Sequence, residues 1–465
     1  MKSSVEKKTF LKKAEKIAFD KVHREKIKFN ISRYDKAVAK GKAIYSNLDL
    51  ARDRAGYIKY KVVNELEKYL IAFEDNFTRN GGKVIWAADA REAVNAILQI
   101  ARNNKVKKVV KSKSMTTEEL DLNKFLNQAN IESVETDLGE FIVQQAGQRP
   151  YHIVTPAMHM SKEDVAALYH KKFDTDEHMS PEELTLYTRK LLRDKFIHAD
   201  MGISGANFLI ADTGGVAVTE NEGNAMLSMS FPKIHIAIAG IEKLIPRLED
   251  LDLYWPLLAT HGTGQNMTVY NSIITGPKKA GEKDGPEEMY VILLDNGRTN
   301  LLAKERQRQA LSCIRCGACL NACPVYKNIG GHTYDTTYSG PIGAVITPYL
   351  KGLKEYNHLS FASSLCGKCT EVCPVKIPIH QLLLVNRDDA VKNGFYTYFD
   401  KESIKISTKF LLSRKLLDMT GGKMKNFGAG MFVEKVWGPR RELPKFAEKS
   451  FSKQWKEKYG EEKKE

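Results

Sequence analysis

The chain has 465 residues and a formal net charge of +15, a length that allows roughly two to four domains and a sizeable core. No apolar run approaches the roughly 18 residues that cross a bilayer, and the first twenty residues carry charge throughout, which excludes a secretory signal and makes the cytoplasm the expected compartment. The excess charge sits at the ends, +8 in residues 1–50 and +8 in 401–465, against −1 between them; such arms suit an acidic partner subunit or an anionic membrane surface, and no zinc finger, RNA-recognition signature or helix-turn-helix points to nucleic acid.

In chain order, residues 5–80 read as helical, with Ile58, Val62, Leu66, Leu70 and Phe73 at helical spacing, until Gly81-Gly82 breaks the pattern. Short strands and helices then alternate: strand 83–87, helix 90–103, strand 106–111, helix 117–128, strand 131–136. Alternation of this kind predicts an α/β domain with a mixed or mostly parallel sheet. Two helices are expected near 161–173 and 181–197, the second opened by Ser180-Pro181-Glu182-Glu183, a cap, a first-turn proline and a capping-box glutamate. The Asp212-Thr-Gly-Gly215 stretch between two β-rich runs predicts a hairpin. Further strands are expected at 233–239, 267–274 and 289–294, with a polar loop at 276–288 and a helix near 300–311. Residues 340–343 read as a Gly-Pro-Ile-Gly turn. After Pro374 the chain reads as helical to about 395, then as basic and irregular.

Three stretches of the α/β part have the chemistry of a small-ligand site. Lys113 lies in Lys111-Ser-Lys-Ser114, between a strand and a helix whose Thr116–Glu119 resembles a capping box, where an anion is attracted. Glu222 and Asn224 lie on the loop that leaves the hairpin. His261 and Gln265 belong to a glycine-rich run ahead of a strand. Taken singly, each is explained by turn chemistry; convergence on one pocket would make them a site. No G-x-G-x-x-G, phosphate-binding loop or G-x-S-x-G elbow is present, which argues against a nicotinamide dehydrogenase.

All seven cysteines lie between 313 and 373. The first run, Cys313-Ile-Arg-Cys316-Gly-Ala-Cys319-Leu-Asn-Ala-Cys323-Pro324, is C-x2-C-x2-C-x3-C-P. The second, Cys366-Gly-Lys-Cys369-Thr-Glu-Val-Cys373-Pro374, repeats that frame without its first position. At these spacings three thiolates hold three corners of one iron–sulfur cube and the fourth reaches the other. Cluster one is expected on Cys313, Cys316, Cys319 and Cys373, and cluster two on Cys323, Cys366 and Cys369. Disulfides fit poorly with an odd cysteine number and no secretory segment, and zinc prefers two separated pairs. The frame's missing position falls on Ser363, either an oxygen ligand or a turn residue; in both cases cluster two has one labile corner and a route from a 4Fe–4S to a 3Fe–4S form.

With these motifs in place, the chain resembles the lactate utilization protein B family over nearly its whole length. The carrying stretches include VKSKSMTTEELDLN, ADMGISGANFLIADTGGVAVTENEGN, LATHGTGQN, CIRCGACLNACPVY, GPIGAVITP and SSLCGKCTEVCPVKIPI. The resemblance implies a basic helical extension over 1–69, an α/β lactate-utilization (LUD) domain over 70–300, a helical ferredoxin module with two 4Fe–4S clusters over 301–395, and a basic tail over 396–465. It implies electron transport during oxidation of L-lactate to pyruvate, together with other lactate-utilization proteins. The alternative is that the α/β domain itself binds substrate and the clusters are its internal acceptors. A third class, a redox or iron sensor, would use the clusters as a switch. No catalytic residue is assigned.

Overall fold

The computed structural model describes residues 4–396, 398–419, 421–432 and 442–460. They fall into two units, one ending at Asn393 and one beginning at Gly394.

Helices Val5–Phe19, Lys21–Lys42, Leu48–Asn64 and Leu66–Arg79 open the first unit. Ser4, Asp20 and Asn47 each accept a backbone N–H three residues on and cap the helix that follows; Asp20 also ends the one before it. Their apolar stripes face different cores. Phe73 and Phe77 pack fully buried with strand residues Leu209 and Val291, whereas Ile27 and Ile31 pack into the cluster of residues that contains five of the cysteines.

Ten strands follow: β1 Lys83–Ala87, β2 Lys108–Lys111, β3 Glu132–Glu135, β4 Met201–Gly205, β5 Phe208–Ile210, β6 Gly215–Glu220, β7 Ile234–Gly240, β8 Leu244–Ile245, β9 Tyr270–Ile274 and β10 Glu288–Leu294. Six form one sheet in the order β1, β10, β7, β4, β2, β3, parallel at every pairing. Both faces are covered, so its central strands are mostly apolar, as in the fully buried Ile234–Gly240, where His235 is the one polar side chain. The expected hairpin forms, but β5 and β6 belong to a second sheet with β8 and β9. Strand β4 carries two glycines and gives no β signal in the sequence. It sits in the middle of the sheet because Gly202 passes against the Ser228 carbonyl, where a Cβ would lie 1.8 Å from the oxygen.

Several expected elements take another form. The helix read over 117–128 is two helices, Met115–Glu119 and Leu122–Gln128, separated by Asp121 in the left-handed region (φ 50°). The helix expected near 300–311 is a short Arg298–Leu302 helix and a 3-10 turn at Gln307–Ser312, because the backbone must extend at Cys313. The turn read at 340–343 is the first turn of helix Gly340–Lys351, where Pro341 needs no N–H partner. In the second unit the stretch expected to be irregular forms helices Tyr398–Leu412, Arg414–Met419, Gly422–Phe432 and Phe451–Tyr459. Local contacts suffice for the last of these: Ser450 caps it, and the Trp455 and Tyr459 rings lie 4.5 Å apart.

Candidate functional site

Strand β2 sends the chain outward to β3, whereas the chain leaving its other neighbour β4 passes through the second sheet and re-enters this one inward, at β7. Loops leaving the two carboxyl ends therefore diverge and leave a crevice, the usual ligand position in an open parallel sheet. A cavity of about 550 Å³ lies there, between Ser112–Ser114 after β2 and Gly205–Ala206 after β4. A Cβ on Gly205 would stand 2.7 Å from the Ser114 hydroxyl, so glycine lets the two loops close on each other.

The three loops singled out in the sequence meet at this cavity. Lys113 donates to Asp137 (3.1 Å) and to the Val154 carbonyl (3.1 Å). Burial opposes its charge, but the carboxylates of Asp137, Glu140 and Glu222 outweigh burial and push it up to about 12. Glu222 accepts the Leu138 N–H (2.9 Å) at the cavity mouth; partial burial and Asp137 push its carboxyl up to about 7. A carboxyl near neutrality beside a fixed ammonium can take up or release a proton. The Asn224 amide is held by Glu220 (2.6 Å) on its nitrogen and by Thr136 and the Asp137 N–H on its oxygen (3.2 Å each).

The third loop contributes Gly262 and Thr263 to the lining, but not the two residues picked from it. His261 is buried behind, its Nδ1 against the Leu257 carbonyl (2.9 Å), and burial with the charges of Lys42 and Arg52 pushes it down to about 3. Gln265 forms a reciprocal amide pair with Asn221 (3.0 Å both ways), tying this loop to the Glu222 loop. Its glycines serve packing: a Cβ on Gly264 would meet the Ala37 backbone of helix Lys21–Lys42 at 2.3 Å. The capping box expected at Thr116–Glu119 is also absent. Ser114 caps that five-residue helix, and Glu119 turns away to Arg298.

That turn belongs to a buried charge network linking the α/β part to the cysteine part. Arg298 bridges Glu119 (2.9 Å) and Glu242 (2.6 Å) with all three side chains nearly inaccessible. Glu242 also pairs with Arg315 (3.2 Å), and these arginines outweigh its burial and hold its carboxyl down to about 2. Tyr338 donates to Glu119 (2.6 Å), and its ring lies 4.5 Å beneath the Arg315 guanidinium. Lys59 donates to the Glu242 and Leu244 carbonyls (2.6 and 2.9 Å). Arg315, Cys316 and Tyr338 then line the cavity, so the two parts share one wall. Sequence reasoning missed this network, because spacing does not distinguish a buried arginine from a solvated one.

The thiols sort by the charges they feel. Burial and then Cys313 and Cys373 push Cys316 up, and the same neighbours with Cys316 act on Cys319. Burial and Cys313 push Cys373 up to about 12. Burial and then Cys323 and Cys366 push Cys369 up to about 11. Cys316, Cys319 and Cys373 thus all feel the charge of Cys313, and Cys323 and Cys369 both feel that of Cys366. Backbone N–H groups point at the sulfurs of Cys313 (from Arg315, 3.4 Å), Cys323 (from Tyr326, 3.5 Å) and Cys373 (from Ile377, 3.4 Å). Among the described residues no three His, Cys, Asp or Glu side chains are grouped to hold a single metal ion. Soft, buried thiols in two groups, with N–H donors aimed at them, fit iron–sulfur clusters. Cys366 alone is exposed, and Cys316 lines the cavity.

Ser363 repeats the setting of Cys313. Cys313 Sγ accepts the N–H of Arg315, whose φ is 62°, with Gly317 (φ 79°) two residues further. Ser363 Oγ accepts the N–H of Leu365 (3.1 Å), whose φ is 54°, with Gly367 (φ 79°) two residues further. The two runs share one backbone wrap.

Residues 70–294 match the LUD domain and residues 309–377 the 4Fe-4S dicluster domain. The chain is 43% identical over 355 residues to the uncharacterized electron transport protein YkgF of Escherichia coli (strain K12), covering 76% of this chain and 74% of that one. It is 46% identical over 336 residues to lactate utilization protein B of Bacillus subtilis (strain 168), covering 72% and 70%. For lactate utilization protein B of Bacillus cytotoxicus the identity is 42% over 418 residues, covering 87% and 88%. A parallel α/β domain followed by a helical iron–sulfur module, matched along most of the chain at this identity, carries an iron–sulfur role in lactate utilization: the chain belongs to the lactate utilization protein B family.

Proposed function

We propose that the protein is the electron-transfer component of an L-lactate-oxidising system, carrying two 4Fe–4S clusters and working with other lactate-utilization proteins. Cys313, Cys316, Cys319 and Cys373 would hold one cluster; Cys323, Cys366 and Cys369 would hold the other, with Ser363 at its fourth corner. The carrying observation is the backbone wrap shared by the two cysteine runs, five of whose thiols are buried in one core. When bound, the clusters supply one-electron transfer, which lets a two-electron oxidation be drained in single steps. The chain's part is to pack helices 5–19 and 21–42 into the core that holds five of the thiols, to aim N–H donors at the sulfurs, and to leave Cys366 near the surface for a partner.

One observation favours a second reading, in which the α/β domain holds the substrate and the clusters are internal acceptors. The cavity at the sheet's switch point is lined both by Lys113, Glu222 and Asn224 and by Cys316. Anaerobic absorbance of the purified chain mixed with L-lactate tests both. Bleaching only after the partner proteins are added supports the first reading, and bleaching by lactate alone supports the second. Clusters that stay oxidised in the complete mixture contradict both.

A further inference from the structure

We propose that Arg315 and Lys243 form a carboxylate-anchoring subsite where the cavity meets the cysteine part. Arg315 lines the cavity with only 8% of its side chain exposed. Its Nη2 is held by Glu242 (3.2 Å) and its plane by the Tyr338 ring, yet its Nη1 is buried with no hydrogen-bond partner. A buried guanidinium N–H without an acceptor is costly, and a planar acceptor such as a carboxylate matches its geometry. Lys243 lines the same cavity, brought there by the Ile241–Lys243 turn between β7 and β8. Among the described residues its ammonium makes no hydrogen bond or ion pair. The local charges are Glu119 and Glu242 against Lys59, Arg298, Arg315 and Lys243, an excess of cations of which Arg315 and Lys243 line the cavity.

Away from this pole carboxylates outnumber the one cation, Lys113, which Asp137 already pairs. Asp137, Glu220 and Glu222 are acceptors, and Asn221 and Thr219 stand beside them. A ligand fits both poles when it carries a carboxylate at one end and a hydroxyl or amine donor at the other, so the class is a small hydroxycarboxylate. The left-handed backbone at Arg315 is not itself the signal, since Leu365 repeats it in the second run. What differs is the side chain: the wrap places an arginine toward the α/β part and a leucine at the equivalent position.

This inference deepens the second reading above and rests on it for the identity of the ligand. Its test reads binding and not turnover, so the two can fail separately. The full-length, cluster-loaded protein is titrated anaerobically in a calorimeter with L-lactate, with propionate and with inorganic phosphate. The expected result is one saturable site for lactate, weaker binding of propionate, which lacks the hydroxyl, and no tighter binding of phosphate. Lys243→Met, which lies outside the cysteine runs, should keep iron and sulfide content and weaken lactate by about tenfold or more, as loss of a charge-assisted hydrogen bond does. Glu222→Gln should weaken lactate while leaving propionate unchanged. Lactate that binds without bleaching the clusters leaves the subsite standing and removes the second reading. No saturation below about 10 mM, an affinity weaker than any useful anchor, overturns the proposal. So does unchanged affinity in Lys243→Met, which would mean that the lysine only balances the charge of the cysteine sulfurs, and so does phosphate binding more tightly than lactate.

Discussion

At the scale of single residues, seven cysteines lie in two short runs, and Arg298 and Arg315 are buried beside Glu242. Metal-ligand chemistry imposes short fixed spacings on one stretch of chain, so the two runs are visible in the sequence. Lys113, Glu222 and Asn224 were legible for a related reason, because loops at strand ends carry ligand chemistry. His261 and Gln265 show the same signal and fail, since the Gly-rich loop that bears them is built to admit helix Lys21–Lys42. Ser363 is the residue whose setting says most about the second cysteine group. Its hydroxyl accepts an N–H as the Cys313 sulfur does, so a thiol at this position should find the same corner. Ser363→Cys should suppress conversion to a three-iron form during brief air exposure, because thiolate is the softer and tighter ligand. Paramagnetic resonance of anaerobic and oxidised samples reads this, and a conversion rate equal to that of the native protein would remove Ser363 from the corner. Cys316→Ser should cost about half of the iron and acid-labile sulfide, since a hard oxygen replaces one of four soft ligands. Full iron content in that variant would overturn the assignment.

At the scale of elements, periodicity and capping located the helices and most strands, and the Ser180–Glu183 box caps its helix as read. What escaped was set by tertiary contact. Strand β4 exists because a backbone carbonyl crosses Gly202, and the Met115–Gln128 region breaks where Asp121 turns left-handed. The joint between the α/β part and the cysteine part rests on Arg298, Glu119, Glu242, Arg315 and Tyr338, residues far apart in the chain. Arg298→Met should destabilise the protein by about 3 kcal/mol or more, because it strands the buried Glu119 carboxylate and leaves Glu242 with Arg315 alone. The urea midpoint followed by circular dichroism checks this. A change below about 1 kcal/mol, the range of an exposed ion pair, would show that the network is wetter than its burial indicates.

At the scale of the whole molecule, the parallel sheet carries an apolar core on each face and the cavity at the carboxyl ends of its strands. His235 sits in that sheet, fully buried with Nε2 2.8 Å from the Ser204 hydroxyl, and burial pushes it from 6.5 down to about 3. It is neutral when folded and takes up a proton when unfolded below about pH 6.5. Its contribution is therefore complete above that pH and is lost as pH falls toward about 3. Between pH 7 and pH 5 it should cost about 2 kcal/mol. Melting temperatures of the native chain and of His235→Gln at the two pH values test this; the variant should fall less, and an equal fall would mean that the imidazole is not the titrating group.

The molecule as a whole is proposed to carry electrons through two centres in series, a deep one beside the cavity and an outer one near Cys366. The most direct test is a reductive titration of the full chain followed by paramagnetic resonance. Two one-electron signals that broaden each other should appear, with Cys316→Ser abolishing one and Cys369→Ser the other. A single signal, or one that both variants remove together, would contradict the relay.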